Sequence, residues 1–283
     1  MVEVYVASAF SKDGAGGNKA GVVLERPELA AAEKMAIAKE LGYSETAFVC
    51  RSSAADFSLE YFTPTEEVPL CGHATIASFV VLRQLGRLDK DAYTIETKAG
   101  ILRIRLENGL IFMEQNRPAY GEKLEPEELT DSMGMGAAVQ KMPVQIVSTG
   151  LRDILMPVCS KEQLAMLSPD FKQLTALSAE KQVVGVHAFS LVDDGEITAV
   201  CRNFAPLYGI DEESATGTSN CALACYLFKY YEKKDQYVFE QGHNLGAISR
   251  IAVKLSHRQG EIEQVWVGGS GYLIEKSQLP YGK

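Results

Sequence analysis

Cys71-Gly72-His73-Ala74-Thr75 and Ala215-Thr216-Gly217-Thr218-Ser219-Asn220 each set a glycine turn directly before an apolar run at helical spacing. The runs extend from Ala74 to Leu85 and from Asn220 to Tyr230. Gly72 and Gly217 stand 145 positions apart (217 − 72), about half of the 283-residue chain, and at that offset Ala77 falls on Ala222. A duplicated lobe is the economical explanation. A helix opened by such a turn presents unpaired backbone N–H groups and the positive end of its dipole, which favour a carboxylate. Two such helix starts facing each other across a cleft would clamp a small acidic molecule.

Working outward, short strands surround both turns. Met1–Ala7 and Ala20–Leu24 flank the turn-rich loop Ser11–Asn18, and Ala47–Cys50, Phe57–Phe62, Ala92–Thr97, Ile101–Leu106 and Leu110–Gln115 follow. Leu29–Leu41 reads as a helix stopped by Gly42. After Pro118 the text turns acidic and helix-prone through Leu129, and strands resume at Pro143–Val147, Asp153–Val158, Gly185–Val192 and Thr198–Phe204. Strands outnumber helices, and only the two central helices are apolar on most sides. The expected fold is therefore α+β: two pseudo-symmetric lobes, residues 1–118 and 119–283, each a barrel-like, mostly antiparallel sheet around one helix. The last strand is free to pack back on the first lobe. Loops such as Ser11–Asn18 and Met133–Gln140 would line the cleft.

Composition narrows the function classes. With 46% hydrophobic residues the chain can bury a sizeable core, and a formal net charge of -9 without a basic stripe argues against nucleic acid and anionic membranes. No apolar run is long enough to span a bilayer, and the first residues read as a strand rather than a secretory signal. Six scattered cysteines without a CxxC pair fit reduced thiols in a cytoplasm. Cys71-x-His73 is the one pair suggestive of a metal, and no second pair completes a tetrahedral set, so none is expected. Gly134-Met135-Gly136 and Gly268-Gly269-Ser270-Gly271 lack the rest of a dinucleotide fingerprint, so no cofactor is expected either.

Read alone, the candidate residues leave alternatives open. His73, in the first helical turn, would meet a substrate as an imidazole with a lowered tendency to protonate. Cys71 is either a packed thiol or an acid/base of the kind found in cofactor-independent racemases, although Thr216 holds the matching place in the second lobe. Cys221 and Cys225 read as core. Glu45, between a helix stop and an apolar strand, is either an exposed turn residue or a partly desolvated carboxylate with its pKa raised towards neutrality. Asp211-Glu212-Glu213 reads first as a solvated acidic turn near Gly217.

Several segments in order resemble the phenazine biosynthesis PhzF-like family, which shares the fold of diaminopimelate epimerase. They are Gly17–Leu24, Ser44–Val49, Phe62-Thr63-Pro64, Glu67–Thr75, Arg202–Pro206 and Ala215–Thr218. The resemblance implies a cofactor-independent isomerase, usually a homodimer, in which one glutamate moves a proton within a small carboxylate-bearing metabolite. The family's glutamate falls on Glu45 and its histidine on His73. Asn18, Cys71, Gly72, Thr216, Gly217 and Thr218 fall among its substrate contacts. The family's usual Glu-Asp-Pro-Ala-Thr-Gly reads Glu212-Glu213-Ser214-Ala215-Thr216-Gly217 here, so either Glu213 or Asp211 takes the aspartate's place. An amino-acid or hydroxy-acid epimerase, and a non-catalytic metabolite-binding protein, are the alternatives.

Overall fold

A computed structural model describes residues 1–26, 28–134, 142–192 and 195–280. Two compact units emerge: Met1–Glu114 together with the stretch from Gly268 onward, and Gln115–Val267.

The first unit runs β1 (Val2–Ser11), β2 (Asn18–Leu24), α1 (Ala31–Leu41), β3 (Thr46–Cys50), β4 (Phe57–Phe62), β5 (Glu67–Val68), α2 (Gly72–Gln84), β6 (Ala92–Thr97), β7 (Gly100–Glu107) and β8 (Leu110–Gln115). Gly42 ends α1 in the left-handed conformation (φ 70°), its N–H bonded to Ala38 O. Every residue of α2 from His73 to Leu82 is buried, which accounts for its lack of a polar face. Its hydroxyls are satisfied internally, Thr75 Oγ1 on Cys71 O and Ser78 Oγ on Ala74 O, both at 2.7 Å. Phe79 packs edge-on to Phe57 with ring centroids 5.9 Å apart.

The second unit runs β9 (Ala119–Leu124), α3 (Thr130–Met133), β10 (Val144–Ser148), β11 (Arg152–Pro157), α4 (Lys161–Met166), α5 (Phe171–Lys181), β12 (Gly185–Leu191), β13 (Ala199–Ala205), β14 (Ile210–Glu213), α6 (Gly217–Tyr230), β15 (Gln236–Gln241) and β16 (Ser249–Arg258). β17 (Glu261–Leu279) begins in this unit, and its later part belongs to the first, antiparallel to β1 from Ser270 to Leu279. Gly271 makes that placement possible: a Cβ there would lie 2.4 Å from Ser8 O and 2.6 Å from Val80 Cγ2 of α2.

The pairing senses repeat. In the first unit β2–β3 is parallel, β3–β4 and β4–β5 antiparallel, β4–β6 parallel and β6–β7 antiparallel. β11–β12, β12–β13, β13–β14, β13–β15 and β15–β16 follow the same sequence of senses. α2 sits between β5 and β6 in the chain, and α6 between β14 and β15. The fold is α+β, with a pseudo-symmetric pair of mostly antiparallel sheets, each holding one central helix.

One expectation changes. The acidic text after Pro118 begins with a strand, β9, because Val144 and Leu124 pair across to β10 and the Tyr120 hydroxyl donates to Cys225 O at 2.9 Å. α4 and α5, capped by Ser160 and Asp170, lie in text whose helical content the sequence pattern left unread. Of the loop Met133–Gln140, and of Gly134-Met135-Gly136, positions 135–140 lie outside the described residues. Among the described residues no helix is long and apolar enough to cross a membrane.

Under the start of α6 lies a buried polar chain. Ser219 Oγ donates to Asp153 Oδ2 at 2.7 Å, and Asn203 Nδ2 lies 3.3 Å from both Ser219 Oγ and His187 Nδ1. Burial, with the Glu213 charge adding, raises Asp153 to about 6 from an ordinary 3.8, and burial lowers His187 to about 3 from 6.5. Between pH 3.8 and 6 folded Asp153 holds a proton that the unfolded chain releases, so its contribution falls as pH rises, by about 3 kcal/mol in all. Folded His187 lacks a proton that the unfolded chain binds between pH 3 and 6.5, so its contribution rises with pH, and between pH 3.8 and 6 the two largely cancel. Asp153→Asn should therefore be more stable than the parent at pH 8, by up to about 3 kcal/mol, with little gain at pH 4. Urea midpoints across that range measure this, and a gain independent of pH would contradict a protonated Asp153.

Candidate active site

Glu45 occupies the short turn between the Gly42 stop of α1 and β3. Its backbone is fixed from both sides, because Gly21 N–H donates to Glu45 O at 3.3 Å and Thr46 pairs with Gly21 in the parallel β2–β3 ladder. The carboxylate is thereby aimed at the start of α2, where Oε2 meets His73 Nε2 at 3.2 Å, the two side chains being 18% and 8% exposed. Cys71 Sγ lies 3.6 Å from His73 Nδ1 and 3.9 Å from Nε2. The Asn18 side-chain amide lies 3.3 Å from Nδ1 and Ser44 Oγ 3.5 Å from Nε2. Asn18 reaches this place because the chain turns at Gly17 with φ 82°, where a Cβ would collide with Ser8 Oγ at 2.3 Å. The structure thus brings together Asn18, Glu45, Cys71, Gly72 and His73. Ser44, a neighbour of both Glu45 and His73, was not singled out.

The electrostatics reverse two expectations. Burial alone would raise Glu45, but His73, helped by Ser44 and Cys71, outweighs it and holds the carboxyl below its ordinary value. Burial likewise disfavours charged His73, and its neighbours Cys71 and Glu45 outweigh that and raise it well above 6.5. Burial and the Glu45 charge push the Cys71 thiol up against the opposing effect of His73. At neutral pH Glu45 is therefore a carboxylate facing a His73 imidazolium. The sequence reading of a near-neutral Glu45 and an unprotonated His73 fails because it treated each as an isolated buried group, whereas the fold makes them an ion pair. Despite the 3.2 Å approach, Glu45 Oε2 is buried with no hydrogen bond of acceptable geometry among the described residues.

The second-unit candidates gather at the start of α6. Thr216 precedes the helix with extended backbone, and its hydroxyl lies 3.4 Å from Glu213 Oε2. Gln241 of β15 ties the turn together: its amide donates to Glu213 O at 2.8 Å and to Thr216 Oγ1 at 3.1 Å, while its oxygen accepts from Thr216 N–H and Asn220 Nδ2. Gly217 is buried and Thr218 half-buried. Of the two acids in doubt, Glu213 joins this cluster and Asp211 is exposed on β14. Glu212 is no solvated turn residue. It takes both arms of Arg202, at 2.9 and 2.7 Å, and Arg202 also donates to three carbonyls at the end of α4. Gln241 carried no signal, lying 25 positions beyond Thr216. Cys221 and Cys225 are core. A cavity of about 400 Å³, lined by Leu24, Val49, Cys50, Phe57, Leu82 and Arg87 among others, holds none of these residues.

With this geometry in hand, the family model described as phenazine biosynthesis-like protein matches residues 7–277. The chain belongs to that family. An uncharacterized isomerase of Deinococcus radiodurans is 35% identical over 99% of this chain and 95% of its own length. The uncharacterized isomerase YfhB of Bacillus subtilis is 32% identical over 95% and 96%. The crystal structure of the Bacillus anthracis phenazine biosynthesis protein of the PhzF family superposes with a TM-score of 0.91, covering 99% of both chains at 28% identity. Like its curated relatives, this PhzF-family chain is an isomerase.

The ion pair makes a measurable prediction. Nitrogen-detected NMR of His73 should show an imidazolium persisting above pH 7, and Glu45→Gln should lower its titration midpoint, because the buried ring then loses its counter-charge. A midpoint unmoved by Glu45→Gln would show that Glu45 does not set the charge of His73.

Proposed function

We propose that this family member shifts a proton between two carbons of a small carboxylate-bearing metabolite without a cofactor, with Glu45 as the single acid/base. The observation that carries the reading is Glu45 itself: a buried carboxylate, held ionised by His73, whose Oε2 has no donor in line. A base must arrive deprotonated and with a lone pair free, and Glu45 meets both conditions.

Glu45 takes a proton from a carbon activated by the substrate's own unsaturation and carboxylate. One C–H bond breaks and a π bond shifts. The carboxylic acid form of Glu45 then returns the proton to another carbon of the same molecule, so the composition is unchanged. The His73 imidazolium and the positive end of the α2 dipole steady the negative charge that develops meanwhile. The low pKa of free Glu45 loads the base. An anionic substrate that displaces water and adds negative charge raises that pKa during the transfer, which keeps the proton on Glu45 long enough to be returned.

The family resemblance also assigns substrate contacts to Gly217 and Thr218, with Glu213 in the family aspartate's role, and it extends to a homodimer in the cytoplasm. An epimerase would need a second base, and the topological equivalent of Cys71 is Thr216, whose hydroxyl cannot accept a carbon-bound proton.

Candidate substrates can be drawn from a metabolite pool by thermal shift and then followed by mass spectrometry in D2O. The parent should convert its ligand to an isomer carrying solvent deuterium. Glu45→Gln should still bind the ligand and lose at least about a thousandfold in turnover, as expected when the acid/base is removed and positioning remains. Turnover retained in Glu45→Gln removes Glu45 from the mechanism, and a ligand recovered unchanged from the parent points to a binding protein. Cys71→Ser should continue to incorporate deuterium, an outcome the epimerase reading forbids.

A further inference from the structure

The sequence places Cys71 and His73 two positions apart, a pair too small to hold a metal. The fold supplies a third ligand. Glu45, Cys71 and His73 each offer one donor atom, and the three atoms lie within 4.8 Å of one another. His73 Nε2 is 3.2 Å from Glu45 Oε2 and 3.9 Å from Cys71 Sγ. Around a tetrahedral Zn2+, with bonds of about 2.0–2.3 Å, neighbouring ligand atoms are separated by about 3.3–3.6 Å. Two of the three separations lie within about 0.4 Å of that spacing, and the third, between Glu45 and Cys71, is no more than 4.8 Å, so side-chain shifts of about an ångström close the trio on an ion.

The chemistry of the set is selective. One thiolate, one imidazole and one carboxylate form a borderline-soft group that suits Zn2+ and its neighbours over Mg2+ or Ca2+, and three protein ligands leave the fourth position open. The site also has outer support. The Asn18 amide beside Nδ1 can fix the ring once Nε2 is metal-bound, as the second partner of a ligating histidine usually does. Two features oppose the ion: the positive end of the α2 dipole disfavours a cation, by roughly thirtyfold at most, and the ion must displace the proton that His73 holds at neutral pH. Two anionic ligands, the carboxylate and a thiolate deprotonated by the ion, exceed that easily.

We propose that Glu45, Cys71 and His73 form a three-ligand site for Zn2+, and that the bound ion switches the isomerase off reversibly by occupying the carboxylate that would carry the proton. The site stands on the geometry alone; its effect on turnover rests on the role given to Glu45 above.

Cobalt chloride is the probe. One equivalent added to the purified full-length protein should give the visible ligand-field bands of tetrahedral Co2+ and a near-ultraviolet thiolate-to-cobalt band, both abolished by one equivalent of Zn2+. Cys71→Ser should lose the thiolate band, and His73→Gln and Asn18→Ala should weaken cobalt binding about tenfold or more, in samples whose far-ultraviolet circular dichroism matches the parent. On the substrate found in the deuterium experiment, Zn2+ should inhibit, a chelator should restore turnover, and the inhibitory concentration should rise at least about tenfold in Cys71→Ser. Absence of the cobalt bands, or their survival in Cys71→Ser, overturns the site. Full turnover with Zn2+ stoichiometrically bound overturns the switch. Retained turnover in Glu45→Gln would instead overturn the catalytic role of Glu45 and leave the cobalt spectrum as it was.

Discussion

The contact on which the proposed chemistry of the first unit depends is the 3.2 Å approach of Glu45 to His73. Each partner would be neutral if buried alone, since transferring a lone charge out of water costs several kcal/mol even after relaxation. His73 has a further disincentive: it sits at the N-terminal end of α2, where the helix dipole opposes a cation by about 0.3–1 kcal/mol. Its positive charge is held by Cys71 and Glu45 together, and Glu45 stays ionised because His73 is charged. Such a pair contributes little to net stability. In the proposed mechanism its value lies in keeping a base and a charge-stabilising donor loaded at the same pH, side by side.

That pairing is imposed by backbone rather than by side-chain preference. Glu45 has to leave α1 and enter β3 within a few residues, and the left-handed Gly42 makes the exit while the ladder to Gly21 fixes the entry. On the other side, Gly17 lets the chain pass close to Ser8 and so delivers Asn18 to the histidine ring. α2 itself can be moved little, for it is buried from His73 to Leu82 and gripped where β17 comes onto it at Gly271. A rigid helix start facing a rigid turn is what holds two ionisable groups at fixed distance without help from a flexible loop.

These features differ in how far local text encodes them. The Gly42 stop, the two glycine turns and the enclosed central helices are written locally, in residue types whose backbone preferences or apolar periodicity act over a few positions. The partnership of Glu45 with His73 is not, since 28 positions separate them (73 − 45) and nothing in their spacing implies contact; resemblance to a family singled out both residues without pairing them. The same gap explains the reversed pKa directions: burial is legible in apolar flanking text, but the identity of a buried partner is not. It also explains Glu212, which reads as a solvated acid until β13 brings Arg202 across to it. β9 and the pair α4–α5 were obscured for a related reason. Their polar, charge-rich text carries weak periodicity, and tertiary pairing decides what it becomes.

The repeated topology makes the contrast between the two helix starts informative. Cys71, Gly72 and His73 correspond to Thr216, Gly217 and Thr218, so one start carries a charged ring and a thiol where the other carries hydroxyls. The interior beneath α6 matches that difference. With Asp153 raised to about 6 and His187 lowered to about 3, the one holds its proton and the other lacks one over much of the mildly acidic range, so the buried chain through Ser219 and Asn203 is then close to neutral. A neutral, hydrogen-bonded floor leaves the helix dipole of α6 uncancelled by a buried cation, and Gln241 fixes the turn that presents it. Both helices retain the geometry that favours anions. In the first, an imidazolium is added and a glutamate lies against it, the pair on which the proposed proton transfer rests. The two helix starts differ at two positions, one on either side of a shared glycine.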